Sequence, residues 1–395
     1  MNIKPPGRKA HRKSRTGCNK CKERRIKCGE ERPSCLNCIK LSVQCNFAEL
    51  PSASNSASSV SSPAWTNRLS VNTLSGAGGF SIPSDKPSNI SQVPQLNILD
   101  LELLHHFSTS TGVSLSTNPI IQAMWGIRTP QIAFSNEFVM RGILAVSALH
   151  LARLRPERSK VYVPYSLQQY QAALQEAATI LPEVTAENCT ALQLSAVLTL
   201  IYTFGSPQKP PYFVDVGGSR APEWLSLFRG IKAIAESSSD TLFSGPLAPL
   251  FQAGKEREKL RETFTGGIEH LGELRHVILD TVSDDSKAQT YMCTIDGLEK
   301  SFAVMHSWPA GTCEMTDVFV WLFDLSEEYL ELLKEWTQES LAIFAYLSVL
   351  FQRIECYWWM EGWSVHLISQ LYPLLDEEHR LWIRWPIEQI GWIPN

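Results

Sequence analysis

Residues 18–45 read CNKCKERRIKCGEERPSCLNCIKLSVQC, and their six cysteines decide what this part of the chain can be. Cys18, Cys21, Cys28, Cys35, Cys38 and Cys45 follow C-x2-C-x6-C-x6-C-x2-C-x6-C, so 18–28 and 35–45 are two copies of one pattern, C-x2-C-x6-C. Structural zinc takes four ligands in a tetrahedron. Each copy offers three thiolates, and no histidine lies between Cys18 and Cys45. Two separate sites would each lack a ligand. Sharing one thiolate from each copy lets six sulfurs fill the eight coordination places of two Zn2+ ions. The expected product is a small two-zinc, six-cysteine module of two short helices, spanning 18–47.

The two copies differ in what surrounds their sulfurs. Lys20, Lys22, Arg24, Arg25 and Lys27 crowd the first, whereas the second has Lys40 among Ile39, Leu41 and Val43. A short helix starting after Cys21 would present the cations, and the apolar second copy would brace it. Arginine and lysine donate to guanine O6 and N7 in the major groove and neutralise phosphates, so double-stranded DNA is the partner they imply. Upstream, Arg8, Lys9, Arg12, Lys13 and Arg15 make residues 1–17 a basic tail suited to phosphate contact and nuclear import.

Charge separates this head from the rest. Residues 1–47 hold 13 Lys and Arg against three Glu, a balance of +10; the remainder holds 23 basic and 37 acidic residues, a balance of -14. A basic head that meets polyanions is joined to an acidic body that does not. The other cysteines (Cys189, Cys293, Cys313, Cys356) are scattered singly. The start MNIKPPGRKAHRKSR lacks the apolar stretch of a signal peptide, and no apolar run is long enough to span a membrane. A reducing intracellular compartment is expected, where clustered cysteines bind metal rather than form disulfides.

Residues 51–95 contain 13 Ser, five Pro and three Gly but only three charged residues, with no apolar periodicity. Such a stretch cannot bury enough surface to offset its ordering entropy, so 48–95 is expected to be a disordered linker. It has no heptads, and a coiled coil directly after the cysteines is not expected. From residue 96 to 395 apolar residues recur at helical spacing. Stripes run through Ile98, Leu101, Leu104 and Phe107, through Tyr170, Leu174, Ala177 and Leu181, and through Leu325, Tyr329, Leu332 and Trp336. Segments 138–154, 190–204 and 340–360 are apolar nearly all round, as buried helices are. A large all-α domain over 96–395 follows.

Within that domain, nine of twelve tryptophans fall from Trp308 onward, a density that suits either a core or a cavity for a flat apolar molecule. Asp317, Asp324, Glu327, Glu328, Glu331 and Glu335 alternate with aromatics, and their helical spacing predicts a solvated acidic face. No catalytic set converges. His105 and His106 adjoin and so point to different faces. The GAGG at 76–79 lacks the strand-turn-helix setting of a phosphate loop. His306, His366 and His379 have no partners at ligand spacing. Enzymatic activity is not expected, and no catalytic residue is assigned.

The spacing of all six cysteines resembles that of the fungal binuclear zinc cluster transcription factors, as does Pro33 two residues before Cys35. The resemblance implies that Cys18 and Cys35 bridge both metals, with Cys21 and Cys28 completing one site and Cys38 and Cys45 the other. It implies that Arg24 and Arg25 reach base edges at CGG-type triplets. LELLHHFSTST (101–111), RGILAVSALHLARL (141–154) and the Trp-rich 358–392 resemble the regulatory domain of the sterol uptake control proteins. That likeness implies an all-helical, dimeric body with a sterol-binding pocket. The expectation is a nuclear regulator of RNA polymerase II genes, shuttling with the cytoplasm, that pairs through 96–395 and contacts the transcription machinery. The alternatives are a regulator of a secondary-metabolite or other metabolic pathway without a small-molecule ligand, and a zinc-braced protein-interaction scaffold.

Overall fold

The computed structural model describes residues 18–24, 26, 28, 35, 37–38, 41, 45, 96–208, 222–263, 268–307 and 313–394, and the chain divides into two compact units, 1–90 and 91–395. Arg8, Lys9, Arg12, Lys13, Arg15, the stretch 48–95 and Trp308 lie outside the described residues. Those described contain helices and turns but no strand, and no helix is long and apolar enough to cross a membrane. The first unit contributes helix α1 (Asn19–Glu23).

The second unit begins with α2 (Ile98–His106), capped by Asn97, whose side chain accepts from the amides of Leu99 and Asp100. It runs into a π turn, Phe107–Thr111. Then come α3 (Pro119–Ala123), a second π turn (Met124–Arg128) and α4 (Thr129–Ala133). The regions of the two π turns meet through glycine. A Cβ on Gly112 would sit 3.0 Å from Gly126 Cα, and one on Gly126 would sit 3.0 Å from the Ser108 carbonyl oxygen. A side chain at either place would have to push backbone aside by a few tenths of an ångström.

Next are α5 (Glu137–Leu154), α6 (Ser159–Ile180) and α7 (Cys189–Gly205). Helices α8 (Leu225–Ser237), α9 (Ser239–Ser244), α10 (Ala248–Thr263), α11 (Glu269–Thr281) and α12 (Asp285–Ser307) follow. Shorter helices complete the domain: α13 (Met315–Phe323), α14 (Glu327–Lys334), α15 (Gln338–Ala345), α16 (Leu347–Arg353), α17 (Trp363–Leu371), α18 (Glu377–Trp382) and α19 (Arg384–Ile390).

The three segments read as buried helices are the interior. Helices α5 and α7 bury nearly every side, and from Leu341 to Leu347 no residue is more than 2% exposed. Phe204 is an aromatic hub, with the rings of Trp224, Phe319, Phe351, Trp359 and Trp363 centred 4.3 to 6.2 Å away. The Trp363 indole donates to the Phe204 carbonyl at 2.7 Å. Trp321, Trp359 and Trp363 are each at most 1% exposed. These tryptophans fill space in the core, and Trp359 and Trp321 each also edge a surface cleft.

Two of the predicted stripes are rotated. On α2, Ile98 and Leu101 face solvent and Leu103 and Phe107 are buried. On α6, Leu174 and Leu181 are exposed, while Tyr162, Ser166, Gln169 and Ala173 face inward. Small Ser166 and Ala173 let α5 lie close, and Gln169 accepts from the Arg141 guanidinium at 3.2 Å, which removes the penalty of burying its amide. Closeness of fit outweighs hydrophobicity there. The third stripe holds, with Tyr329 and Leu332 buried.

Acidic residues also sort by position. Asp324, Glu327, Glu328, Glu331 and Glu335 are exposed as expected. Asp317 is an exception at 1% exposure, paired with Arg257 at 2.7 Å. Burial holds its carboxyl above the usual range, against the pull of the Glu314 amide and of Arg257. Glu314, 6% exposed, ties the entrance of α13 to the entrance of α3. Its carboxylate accepts from Ser116 Oγ at 3.0 Å, Thr117 N at 2.8 Å, Asn118 N at 3.0 Å, Tyr357 OH at 3.3 Å and the Thr117 hydroxyl.

Candidate metal centre and nucleic-acid interface

Six cysteines that the sequence spreads over 28 positions are all at most 5% exposed and packed together. The Sγ of Cys18 lies 3.6 Å from those of Cys35 and Cys38, and Cys21 Sγ lies 3.6 Å from Cys35 Sγ. A disulfide would need about 2.05 Å, so these thiols are unpaired. A zinc–thiolate bond of about 2.3 Å gives a tetrahedron whose edge is about 3.8 Å, close to the observed spacing. The sulfurs fit metal.

Among the described residues, two groups bring four ligand atoms within 4.8 Å of one another: Cys18, Cys21, Cys28 and Cys35, and Cys18, Cys35, Cys38 and Cys45. Cys18 and Cys35 belong to both. The geometry thus reproduces the sharing that the ligand count requires. Local folding explains how. Cys18 is the N-cap of α1, and its sulfur accepts from the Cys21 amide at 3.4 Å. The Cys28 sulfur accepts from the Cys18 amide at 3.4 Å. In the second copy the Cys38 amide donates to the Cys35 carbonyl at 2.9 Å, closing the same tight turn at Asn37–Cys38.

Packing six sulfurs away from water penalises their charged form. Burial pushes the Cys18 and Cys21 thiols up, and Cys38 up to about 12. Burial also acts against ionising Cys35, but hydrogen bonds from the Cys38 amide and the sulfurs of Cys38, Cys21 and Cys18 bring it down to about 6. A divalent cation reverses this preference, since metal-bound thiols are deprotonated.

Helix α1 begins at Asn19, before Cys21 and not after it as the sequence suggested, because Cys18 supplies the cap. Five residues then place Cys21 inward and Lys20, Lys22 and Arg24 in solvent. Lys20 pairs with Glu23 at 3.1 Å; among the described residues Lys22 and Arg24 have no acidic partner. Arg25 and Lys27 lie outside the described residues, as do Ile39 and Val43. Leu41 of the expected apolar brace is 52% exposed, so what the described part of the second copy lends the first is sulfur. The capping role of Cys18 was missed; the only signal was its place three residues before Cys21.

Residues 16–54 match the fungal Zn(2)-Cys(6) binuclear cluster domain, which binds two zinc ions and DNA, and residues 102–260 match the fungal specific transcription factor domain. The chain carries both, in that order, which is the make-up of a fungal zinc cluster transcription factor. A Zn(2)-C6 fungal-type transcription factor of Gibberella zeae is 26% identical over 443 aligned residues, 97% of this chain and 86% of that protein. Transcription factor afumD of Aspergillus fumigatus is 28% identical over 235 residues, 59% of this chain and 57% of that protein. Sterol uptake control protein 2 of Candida albicans is 54% identical over 44 residues, 11% of this chain and 6% of that protein.

Proposed function

We propose that this chain is a nuclear regulator of RNA polymerase II genes that recognises CGG-like half-sites in double-stranded DNA through Lys20, Lys22, Arg24, Arg25 and Lys27. One observation carries the reading: α1 and its C-cap leave Lys20, Lys22 and Arg24 in solvent while the sulfur of Cys21 is buried. In this reading Arg24 and Arg25 donate to base edges and the lysines neutralise phosphates. Cys18 and Cys35 bridge two zinc ions, Cys21 and Cys28 complete one site, and Cys38 and Cys45 complete the other. Arg8, Lys9, Arg12, Lys13 and Arg15, in the tail 1–17, add phosphate contact or nuclear import. The cluster domain is 18–47 and 48–95 is a linker.

A single module of this size has a small interface, and such modules gain affinity by pairing on two half-sites. Residues 96–395 supply that pairing and the contact with the transcription machinery. As a sensor of a sterol-like ligand, the body has its best candidate in a 330 Å³ cleft lined by Tyr346, Trp382, Trp385 and Leu274. The filling of the core by Trp321, Trp359 and Trp363 favours the second reading, a metabolic regulator whose body takes no small molecule.

Selection of bound sites from random DNA by the full chain, with and without zinc chelation, tests the proposal. CGG-like triplets should be enriched and should vanish on chelation. No enrichment from zinc-loaded protein overturns the reading. An affinity that does not change with salt would point to the scaffold instead, because phosphate neutralisation gives a steep negative slope.

A further inference from the structure

Helices α10 and α12 and the turn from α13 into α14 enclose a surface cleft of about 400 Å³. Arg261 forms part of its wall and is only 6% exposed. Its guanidinium donates to Asp324 Oδ2 at 3.2 Å and to the Gly297 carbonyl at 3.4 Å, and its buried Nε has no acceptor. A buried cationic donor left open is costly, and the planar fork of arginine is matched best by a carboxylate. Three more charges at the cleft are open. Glu258 and Glu262, one turn apart on α10, and Lys300 on α12 are exposed and have no ion-pair partner among the described residues. The two remaining acids are answered, Asp324 by Arg261 and Asp296 by Arg275.

This pattern selects by charge. A purely anionic molecule would meet Glu258 and Glu262, and a purely cationic one would meet Lys300 and Arg261. A molecule carrying one charge of each sign satisfies both sets. The rest of the wall includes the indole of Trp321, fixed by its Nε1 bond to the Thr294 carbonyl at 3.0 Å, and half-buried Leu325. We propose that the cleft binds a free α-amino acid with an apolar side chain. The ligand ammonium donates to Glu258 and Glu262. Its carboxylate accepts from Lys300 and supplies the acceptor that Arg261 Nε lacks. Its side chain lies against Trp321 and Leu325. The volume suits a small ligand, and a few polar groups fix its orientation. The inference goes beyond the reading of a body without a small molecule, which rests on the filled core, because this cleft is charged and at the surface. Its failure leaves the DNA-binding reading untouched.

Isothermal titration of the full zinc-loaded chain with the individual standard L-amino acids, at two temperatures so that a vanishing heat cannot hide binding, tests the site. An apolar amino acid should bind. Its N-acetyl and amide derivatives, each lacking one charge, should bind about tenfold more weakly or worse. Lys300→Met, and Glu258→Gln combined with Glu262→Gln, lie at exposed positions. They should weaken binding of the free amino acid by a similar factor without lowering the unfolding temperature. No binding of any amino acid at about 10 mM overturns the proposal. Binding that is indifferent to these substitutions, or equal for the acetylated derivative, overturns it as well.

Discussion

Replacing Glu314 with glutamine is the sharpest test of how the helical body is held together. Its Oε1 accepts two backbone amides, Thr117 at 2.8 Å and Asn118 at 3.0 Å, together with the Thr117 hydroxyl, while Oε2 accepts the hydroxyls of Ser116 at 3.0 Å and Tyr357 at 3.3 Å. Glutamine keeps the shape but makes one of the two atoms an amide nitrogen. Placed at Oε1 it would face two N–H groups that cannot turn. Placed at Oε2 it faces hydroxyls that can reverse and accept. The second orientation wins, and what is lost is the charge behind two amide bonds. A hydrogen bond to a charged group contributes about 1 kcal/mol more than a neutral one, so Glu314→Gln should cost about 2 kcal/mol. Glu314→Ala leaves the Thr117 amide without an acceptor in a buried space, while the Asn118 amide keeps Ser116 Oγ at 3.0 Å, and should cost about 3 kcal/mol. Urea unfolding of the full chain, followed through the fluorescence of the buried tryptophans, measures both. A glutamine variant within about 0.5 kcal/mol of the parent, or an alanine variant no worse than glutamine, would refute the reasoning.

Three further outcomes are expected. Cys35→Ser or Cys18→Ser should abolish both zinc ions and fold of the cysteine head, read by metal content per chain; a retained stoichiometry of two would remove the bridging assignment. His150 is 6% exposed, stacked on Trp358 at 4.8 Å and bonded to Thr111 Oγ1 at 3.0 Å, and burial, helped by His106 and Arg153, lowers it to about 4. Unfolded imidazole titrates near 6.5, so the unfolded chain takes up the extra proton first: this contribution is complete above pH 6.5 and fades as pH falls toward 4. The wild type should therefore lose about 2 kcal/mol more than His150→Phe between pH 7.5 and 5, measured by urea midpoints; equal losses would count against the assignment. Gly126→Ala drives a methyl to 3.0 Å from a backbone oxygen and should cost about 1–3 kcal/mol in thermal unfolding, whereas Gly230→Ala on α8, with open space around it, should be neutral or stabilising.

How far the sequence could be read varied with the kind of signal. Cysteine spacing is a covalent pattern with a coordination number behind it, and the two overlapping sulfur groups follow from counting ligands. Helices apolar on all sides, such as α5 and α7, were equally plain, because no choice of face was needed. Amphipathic α2 and α6 were harder. Their burial is set by which neighbour approaches closely, and a row of leucines on α6 lost to Ser166, Gln169 and Ala173. Glu314 and Asp317 gave no sign of burial, since their partners, Ser116, Thr117 and Arg257, lie some 60 to 200 residues away. Trp336 has φ 57° just past the end of α14, where sequence rules look for glycine or asparagine; packing against the core holds it there.

The sulfur of Cys18 stands at the start of α1, a helix of five residues. A peptide so short does not stay helical by itself. Its one cap is a prospective metal ligand, so the helix that carries Lys20 and Lys22 into solvent and the occupancy of the metal sites are a single equilibrium. Free zinc concentration then sets the fraction of molecules in which this helix and its cations are held in place.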